Sequence, residues 1–298
     1  MNLTTYYKDF ENYLKLERNL SENTIQSYRS DLKKFQVFLL EHRFKELKFI
    51  NPEVVRKFIH EQSKKVSGKT QGRVISTLKS FYNFLVLEKI IENNPIENID
   101  YPKTESKIPT VLSIKEIDRL IKNTYHRKFG NRNHTIIEIM YSCGLRVSEV
   151  IEMKISNIFF DESLIKILGK GNKERFVPLS GIGKRLLIDY IKYKRKEVKS
   201  KKTSSDFVFL NNRGTKLSRI MVYNIINEAA KSSKISKKIS PHTLRHSFAT
   251  HMLENGADIT SIQKMMGHEN IVTTENYLHV NKKHLLETVK KYHPRKQS

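Results

Sequence analysis

Between Asn98 and Thr110 the chain reads Asn-Ile-Asp-Tyr-Pro-Lys-Thr-Glu-Ser-Lys-Ile-Pro-Thr. The stretch has two prolines, little apolar content and no period. Proline lacks a backbone N–H and pushes the residue before it out of the α region, so neither a helix nor an inner strand continues through such a segment. Regular apolar spacing lies on both sides of it. The sequence is therefore expected to fold as two units, residues 1–99 and 111–298, joined by an extended linker at 100–110.

The first unit reads as helices. Ser21-Glu22-Asn23-Thr24 caps a segment whose apolar positions Ile25, Tyr28, Leu32, Phe35 and Leu39 recur at helical spacing. Asn51-Pro52 opens another, carrying Val54, Val55, Phe58 and Ile59. A third runs from about Lys69 through Val74, Leu78, Phe81 and Leu85, and Asn93-Asn94-Pro95 breaks the pattern. Arg29, Lys33, Arg73 and Lys79 fall off the apolar stripes. Any one of them is ordinary solvated surface; together they are candidates for a DNA-facing side.

The second unit restarts at Ser113-Ile114-Lys115-Glu116, a capping-box pattern. Leu164 to Leu168 and Arg175 to Leu179 look like short strands around a glycine-flanked turn, which predicts a hairpin. Phe207 to Leu210 is expected to add a further strand. The run from Lys192 to Lys202 reads as a basic helix end and an exposed loop. The expected class is mainly α with a small β-sheet.

Lys and Arg total 55 against 31 Asp and Glu, a formal net charge of +24. The plain reading is a solvated, lysine-rich surface, but an excess this large is more often the footprint of a polyanionic partner such as nucleic acid. No stretch is long and apolar enough to span a bilayer, and no basic amphipathic tail stands apart from the fold. Cys143 is the only cysteine, which rules out an intramolecular disulfide and a Cys-based zinc site and suggests a small packed side chain. The opening MNLTTYYKDF lacks the apolar run of a signal peptide. The expected compartment is a reducing cytoplasm.

The groups that could carry chemistry lie in the second unit. Ser240 can cap a helix that tolerates Pro241 in its first position and runs to about Glu254, where Asn255-Gly256 stops it. Leu244, Phe248 and Met252 should face the core, while His242 and Arg245, three apart, share another face. Both sit near the first turn, where free backbone N–H groups favour an anion. An imidazole and a guanidinium there suit a phosphate, although His-x-x-Arg alone is more often a capping histidine and a surface arginine. His246 makes a His-x-x-x-His pair with His242. A zincin needs Glu directly after the first histidine and Thr243 stands there, so no metal is expected and His246 should make a structural hydrogen bond.

Gly267 closes a short helix that Asp258 can cap, which puts His268 in a turn. Tyr277 follows near the start of the next helix. A phenol has a pKa of about 10, so a nucleophilic tyrosine needs a general base and adjacent cations; without them it is a half-buried core residue. Arg146 follows the Cys143-Gly144 turn at the head of a helix with Val147, Val150 and Met153, and alone reads as a surface partner of Glu149. Lys170 sits in a glycine-flanked turn whose spacing does not fit a P-loop. A lysine on a hairpin tip is suited to reaching into a bound substrate.

Jointly these signals are far more specific. Arg146 within GLRVSE, Lys170 within GKGNKER, His242 and Arg245 within SPHTLRHSFATHML, His268 within MGH and Tyr277 within TTENYLHV stand in the order of one catalytic set. In these motifs the chain resembles the tyrosine recombinase (phage integrase) family, most closely its bacterial XerC/XerD branch. The resemblance covers nearly the whole chain, down to His293-Pro294-Arg295. Met265-Met266 stands where the family usually has leucines and Glu275-Asn276 precedes the tyrosine; neither departure touches a catalytic group.

The resemblance implies an N-terminal helical SAM-like core-binding domain and a C-terminal catalytic domain. It implies DNA strand cleavage and rejoining through a covalent 3′-phosphotyrosine on Tyr277. Arg146 and Arg245 would clamp the non-bridging oxygens, Lys170 would protonate the leaving 5′ oxygen, His242 would assist as acid or base, and His268 would hydrogen-bond the phosphate. No metal, ATP or other cofactor is implied. The implied partners are double-stranded DNA with a short inverted-repeat site and a homo- or heterotetramer on that DNA. The Xer branch adds a second Xer recombinase and the FtsK translocase, and the task of resolving chromosome or plasmid dimers at cell division. The competing expectations are a mobile-element integrase, a type IB topoisomerase-like enzyme, and a non-enzymatic DNA-binding protein in which His246 to Leu278 forms a helix-turn-helix.

Overall fold

The computed structural model describes residues 3–44, 50–102, 110–124, 129–169, 174–267 and 278–295. The chain separates into two compact units, Met1–Lys107 and Ile108–Ser298. Among the described residues no helix is long and apolar enough to cross a membrane.

Among the described residues the first unit holds four helices: α1 (Leu3–Leu16), α2 (Glu22–Glu41), α3 (Pro52–Ser63) and α4 (Gly68–Leu87). Their starts follow local chemistry. Ser21, Asn51 and Ser67 each accept a hydrogen bond from the backbone N–H three residues on, and Pro52 sits in the first turn of α3. Phe10, Phe35, Phe58, Phe81, Tyr82 and Leu85 are fully buried between the helices. The rings meet at angles, with Phe35 and Phe58 centred 5.0 Å apart and Tyr7 edge-on to Phe81 at 5.0 Å. Ile96 and Ile99 are buried in this core, and beyond them the Tyr101 ring lies 5.0 Å from the Lys79 ammonium.

Helix α1 went unmarked by the apolar spacing, yet it buries Tyr7, Phe10 and Leu14. A second unexpected feature is a buried carboxylate. Asp31 of α2 has no exposed surface, and it accepts hydrogen bonds from Arg73 and from Thr77, the latter at 3.0 Å. Arg73 and Thr77 stand one turn apart on α4, so both reach the same point on α2.

The second unit is organised around α6 (Gly130–Ser142), of which every residue but Asn131 is buried. Such a helix has no solvated face, so its polar groups must find partners inside. Arg132 donates to the carbonyl of Leu210 at 2.8 Å, and His134 Nδ1 lies 3.0 Å from the carbonyl of Ile121. Helix α5 (Ile114–Lys122) precedes it, with the expected capping box between Ser113 and Glu116. Cys143 ends α6 as a buried residue with its thiol against the carbonyl of Pro178, and burial pushes that thiol up to about 12.

After the short α7 (Val147–Ile151) comes a three-stranded antiparallel meander: β1 (Ile158–Phe159), β2 (Leu164–Leu168) and β3 (Glu174–Pro178). The expected hairpin is the β2–β3 pair, with Leu168 opposite Glu174 and Leu164 opposite Pro178. Strand β1 is an addition the alternation did not show. The strand expected at Phe207 to Leu210 is absent from this sheet. That segment makes only isolated bridges, Lys154 with Phe207 and Leu210 with Lys216. Its backbone groups go elsewhere: Val208 N–H bonds Met153, the carbonyl of Phe207 accepts from Arg195, and Phe209 stacks on Tyr190 at 5.4 Å.

Among the described residues five more α-helices follow: α8 (Gly181–Asp189), α9 (Arg219–Ser232), α10 (Pro241–Glu254), α11 (Ile259–Met266) and α12 (Leu278–Tyr292). Both α8 and α10 pack on α6, and α11 and α12 both meet β3. Helix α10 has the expected form, with Ser240 as N-cap, Pro241 in its first turn, and a stop at Asn255.

Candidate active site

Three consecutive carbonyls at the C-terminal end of α11 are each taken by a different arginine. Arg175 donates from Nε to Met265 at 2.9 Å. Arg245 donates from Nη2 to Met266. Arg146 donates from Nη2 to Gly267 at 3.2 Å. The last carbonyls of a helix have no partner inside the helix and form the negative end of its dipole, so cations belong there. Gly267 makes the geometry possible. Its φ of +65° turns the chain out of the helix, a conformation that glycine adopts without strain. Met265 and Met266 are buried, and only their backbone reaches the arginines, so methionine in place of leucine leaves these contacts untouched.

The same three arginines surround one carboxylate. Glu149 is 3% exposed at its side chain. It accepts from Arg146 Nη1 at 3.0 Å and from the Arg146 backbone N–H at 2.8 Å. Arg175 binds both of its oxygens, each at 2.9 Å. Arg245 Nη1 stands 3.9 Å from Glu149 Oε2. Burial alone would raise the Glu149 carboxyl; the hydrogen bonds and charge of Arg175, then those of Arg146, outweigh it and hold the group below the usual carboxylate range. Arg245 is pushed down to about 10, first by burial and then by the charge of Arg146, against the pull of Glu149. It remains a cation at neutral pH. Three guanidiniums against one carboxylate leave two unbalanced positive charges, an arrangement suited to a phosphate.

Arg146 and Arg245 are thus brought together from elements about a hundred residues apart. Arg146 is the N-cap of α7 and keeps 35% of its side chain exposed. Arg245 is buried on α10, and its Nη1 also donates to the carbonyl of Gly144. His242 is exposed in the first turn of α10, one turn before Arg245. His246 is half-buried, and its expected structural hydrogen bond is not made to another described residue. Lys170, His268 and Tyr277 lie outside the described residues. Among the described residues no three His, Cys, Asp or Glu side chains gather to hold a metal ion.

The expected surface pair of Arg146 and Glu149 is buried at its carboxylate end, and Arg175 shares that carboxylate. Arg175 was legible only as part of a strand. The available signal was its alternation with Val177, which places a basic residue on the inward face of β3. The four candidate DNA-binding residues of the first unit divide. Lys33 is exposed. Arg29 is exposed but held by Glu11 through two hydrogen bonds of 2.6 and 2.7 Å. Lys79 donates to the carbonyl of Glu97 at 2.8 Å. Arg73 is committed to the buried Asp31.

Residues 110–284 match the phage integrase family, and residues 7–89 match the N-terminal SAM-like domain of phage integrases. The chain belongs to the phage integrase family. It is a tyrosine recombinase, an enzyme that cleaves and rejoins DNA. It is 37% identical over 295 residues to the tyrosine recombinase XerD of Staphylococcus aureus strain N315, covering 98% of this chain and 100% of that one. The XerD of Staphylococcus haemolyticus is similar to the same degree, 37% over 295 residues with the same coverage. Among solved structures, the XerH recombinase bound to palindromic difH substrate in a post-cleavage complex is 25% identical with a TM-score of 0.70, over 95% of this chain and 84% of that one. The XerA recombinase is 29% identical with a TM-score of 0.51, over 97% and 99% of the two chains. A lambda integrase tetramer bound to a Holliday junction shares the fold, with 18% identity and a TM-score of 0.72 over 93% and 81% of the two chains.

Proposed function

We propose that this chain is a Xer-type site-specific recombinase in which Arg146 and Arg245 clamp the scissile phosphate and Tyr277 attacks it. The observation that carries this reading is the convergence of Arg146 and Arg245 on one buried carboxylate and one helix end. Two cations held from behind are pre-organised to meet charge that builds on the non-bridging oxygens. The Tyr277 hydroxyl forms a bond to phosphorus as the bond to the 5′ oxygen breaks. Lys170 supplies the proton to that leaving oxygen, and the phenol proton passes to a base, a role suited to His242. His268 hydrogen-bonds the phosphate. One phosphate ester replaces another, so rejoining needs no ATP. The arginines and Lys170 supply the positive charge that metal ions supply in other phosphoryl-transfer enzymes.

The substrate class is double-stranded DNA with a short inverted-repeat site. The likeness to XerD relatives over 98% of the chain supports resolution of chromosome or plasmid dimers in the cytoplasm rather than a mobile-element task. The solved XerH complex with palindromic difH DNA and the lambda integrase tetramer on a Holliday junction support assembly of several protomers on DNA; a second Xer recombinase and FtsK are the partners the Xer role would call for. The test is Tyr277→Phe on a nicked suicide duplex. The variant should bind DNA like the parent and form no covalent adduct. An adduct formed by the variant overturns the assignment.

A further inference from the structure

Arg175 has no part in the chemistry proposed for Tyr277, Arg146 and Arg245, yet its guanidinium is the one that binds both oxygens of Glu149 and the end of α11 at once. Its fork is turned inward. Both Nη atoms bind Glu149 and Nε binds Met265, which leaves the side chain 13% exposed. It stands on β3 opposite the buried Ile167 of β2, so the hairpin register sets its position. A group so committed is poorly placed to meet a phosphate. We propose that Arg175 is a positioning residue: it holds the Glu149 carboxylate and the end of α11 so that Arg146 and Arg245 are aimed at the scissile phosphate. This rests on the recombinase mechanism proposed for that arginine pair.

The argument is one of charge allocation. Glu149 is buried and ionised, and each of its oxygens bonds one Nη of Arg175. A bidentate guanidinium fixes a carboxylate in both distance and plane. If that partner is removed, the buried carboxylate must take charge from elsewhere. Among the described residues, the cation standing by without yet hydrogen-bonding it is Arg245, 3.9 Å away. Arg245 would be drawn off the carbonyls of Gly144 and Met266 toward Glu149, and Arg146 would be held there more tightly. Both movements spend on Glu149 the positive charge that the phosphate needs. Arg175 is thus expected to matter without touching DNA.

A second contact ties Arg175 to the turn after α11. A Cβ placed on Gly267 would meet Cδ, Nε and Cζ of Arg175 at 3.2 Å, so the guanidinium stem lies flat against that glycine. His268 is the next residue in the chain. One side chain therefore braces the carboxylate behind the arginines and the helix end that leads to the second histidine.

The test compares wild type, Arg175→Met and Arg175→Lys in single-turnover cleavage of a nicked suicide duplex. Two substrates are used: one with a normal scissile phosphate, one with a methylphosphonate, in which a methyl group replaces a charged non-bridging oxygen. Duplex affinity is measured alongside. Arg175→Met should bind DNA within about threefold of wild type and cleave the phosphate roughly 100-fold more slowly, the scale set by misplacing a catalytic group by about an ångström. On the uncharged methylphosphonate, which makes less demand on a two-cation clamp, that defect should shrink by about tenfold or more. Arg175→Lys keeps the charge but not the fork, and should recover about tenfold of the lost rate with the same dependence on substrate. Equal defects on both substrates, or a wild-type rate for Arg175→Met on the phosphate, overturn the inference. Should Arg175→Met fail to fold, the lysine variant decides by the same ratio of substrates. A wild-type protein that forms no adduct through Tyr277 refutes the underlying mechanism instead.

Discussion

Arg245 Nη1 donates to the carbonyl oxygen of Gly144 at 2.6 Å, across 101 residues of sequence. The contact fixes a buried cation of α10 to the turn that leads into Arg146. Gly144 has φ +60°, and a Cβ built there would stand 2.4 Å from Cδ1 of Phe248, three residues beyond Arg245 on the same helix. The turn thus touches α10 twice, once through its carbonyl and once through its missing side chain. Gly144→Ala is expected to cost roughly 2–4 kcal/mol, the sum of a left-handed backbone and an overpacked ring. Urea unfolding measures the loss. Cleavage under conditions where the variant remains folded should also fall, because Phe248 cannot retreat without moving Arg245.

Arg73 and Lys33 separate structural from DNA-binding roles in the first unit. Arg73 neutralises the fully buried Asp31, whereas Lys33 is exposed. Removing the half-exposed guanidinium leaves the buried Asp31 with Thr77 as its remaining hydrogen-bond donor, so Arg73→Ala should destabilise the protein by roughly 1–3 kcal/mol. Lys33→Ala should leave stability within roughly 0.5 kcal/mol of wild type and, if Lys33 meets a phosphate, reduce the salt dependence of duplex binding by about one unit of slope. Thermal unfolding and a salt titration of affinity check both. An Arg73→Ala protein with wild-type stability would contradict a structural role for this pair.

Acid and base act on the second core with opposite sign. His293 has no exposed surface; its Nδ1 accepts the backbone N–H of Arg295 at 2.8 Å, and its ring lies near Tyr141, Phe248 and His251. Burial first, then the Arg295 charge, push it down to about 3. The unfolded chain therefore binds more protons, and the stability His293 supports is lost as pH falls from about 6.5 toward 3. Glu138 is also buried, beside Arg295 at 3.5 Å, and burial raises it to about 7. Here the folded chain binds more protons, so stability falls as pH rises from about 4.5 to 7. Relative to wild type, His293→Asn should gain on the order of 4 kcal/mol on acidification, and Glu138→Gln on the order of 3 kcal/mol as pH rises through its window. Urea midpoints across pH 3 to 8 read both trends. Parallel curves for wild type and either variant would refute the corresponding shift.

Much of this protein was legible in its sequence because the signals were local. N-caps such as Ser21, Asn51, Ser113 and Ser240 act over three residues, and each begins the helix expected of it. The β2–β3 pairing follows from two apolar runs around a glycine-flanked turn. The apolar stripes of α2, α3 and α4 and the Gly267 stop of α11 follow from helical geometry in the same way. Arg146, His242 and Arg245 were marked by their motifs. Tertiary structure decided which charges share a partner. Nothing local shows that Arg73 reaches a buried Asp31 on another helix, or that Glu149 serves Arg175 as well as Arg146. Nor does periodicity describe α6, whose complete burial removes the polar face that periodicity depends on. The apolar run at Phe207 to Leu210 resembled a strand, but a strand also needs a neighbour with free backbone groups, and that segment's partners lay elsewhere. A buried charge can persist only where another part of the chain supplies its counter-charge, so its partner is fixed by how distant segments pack.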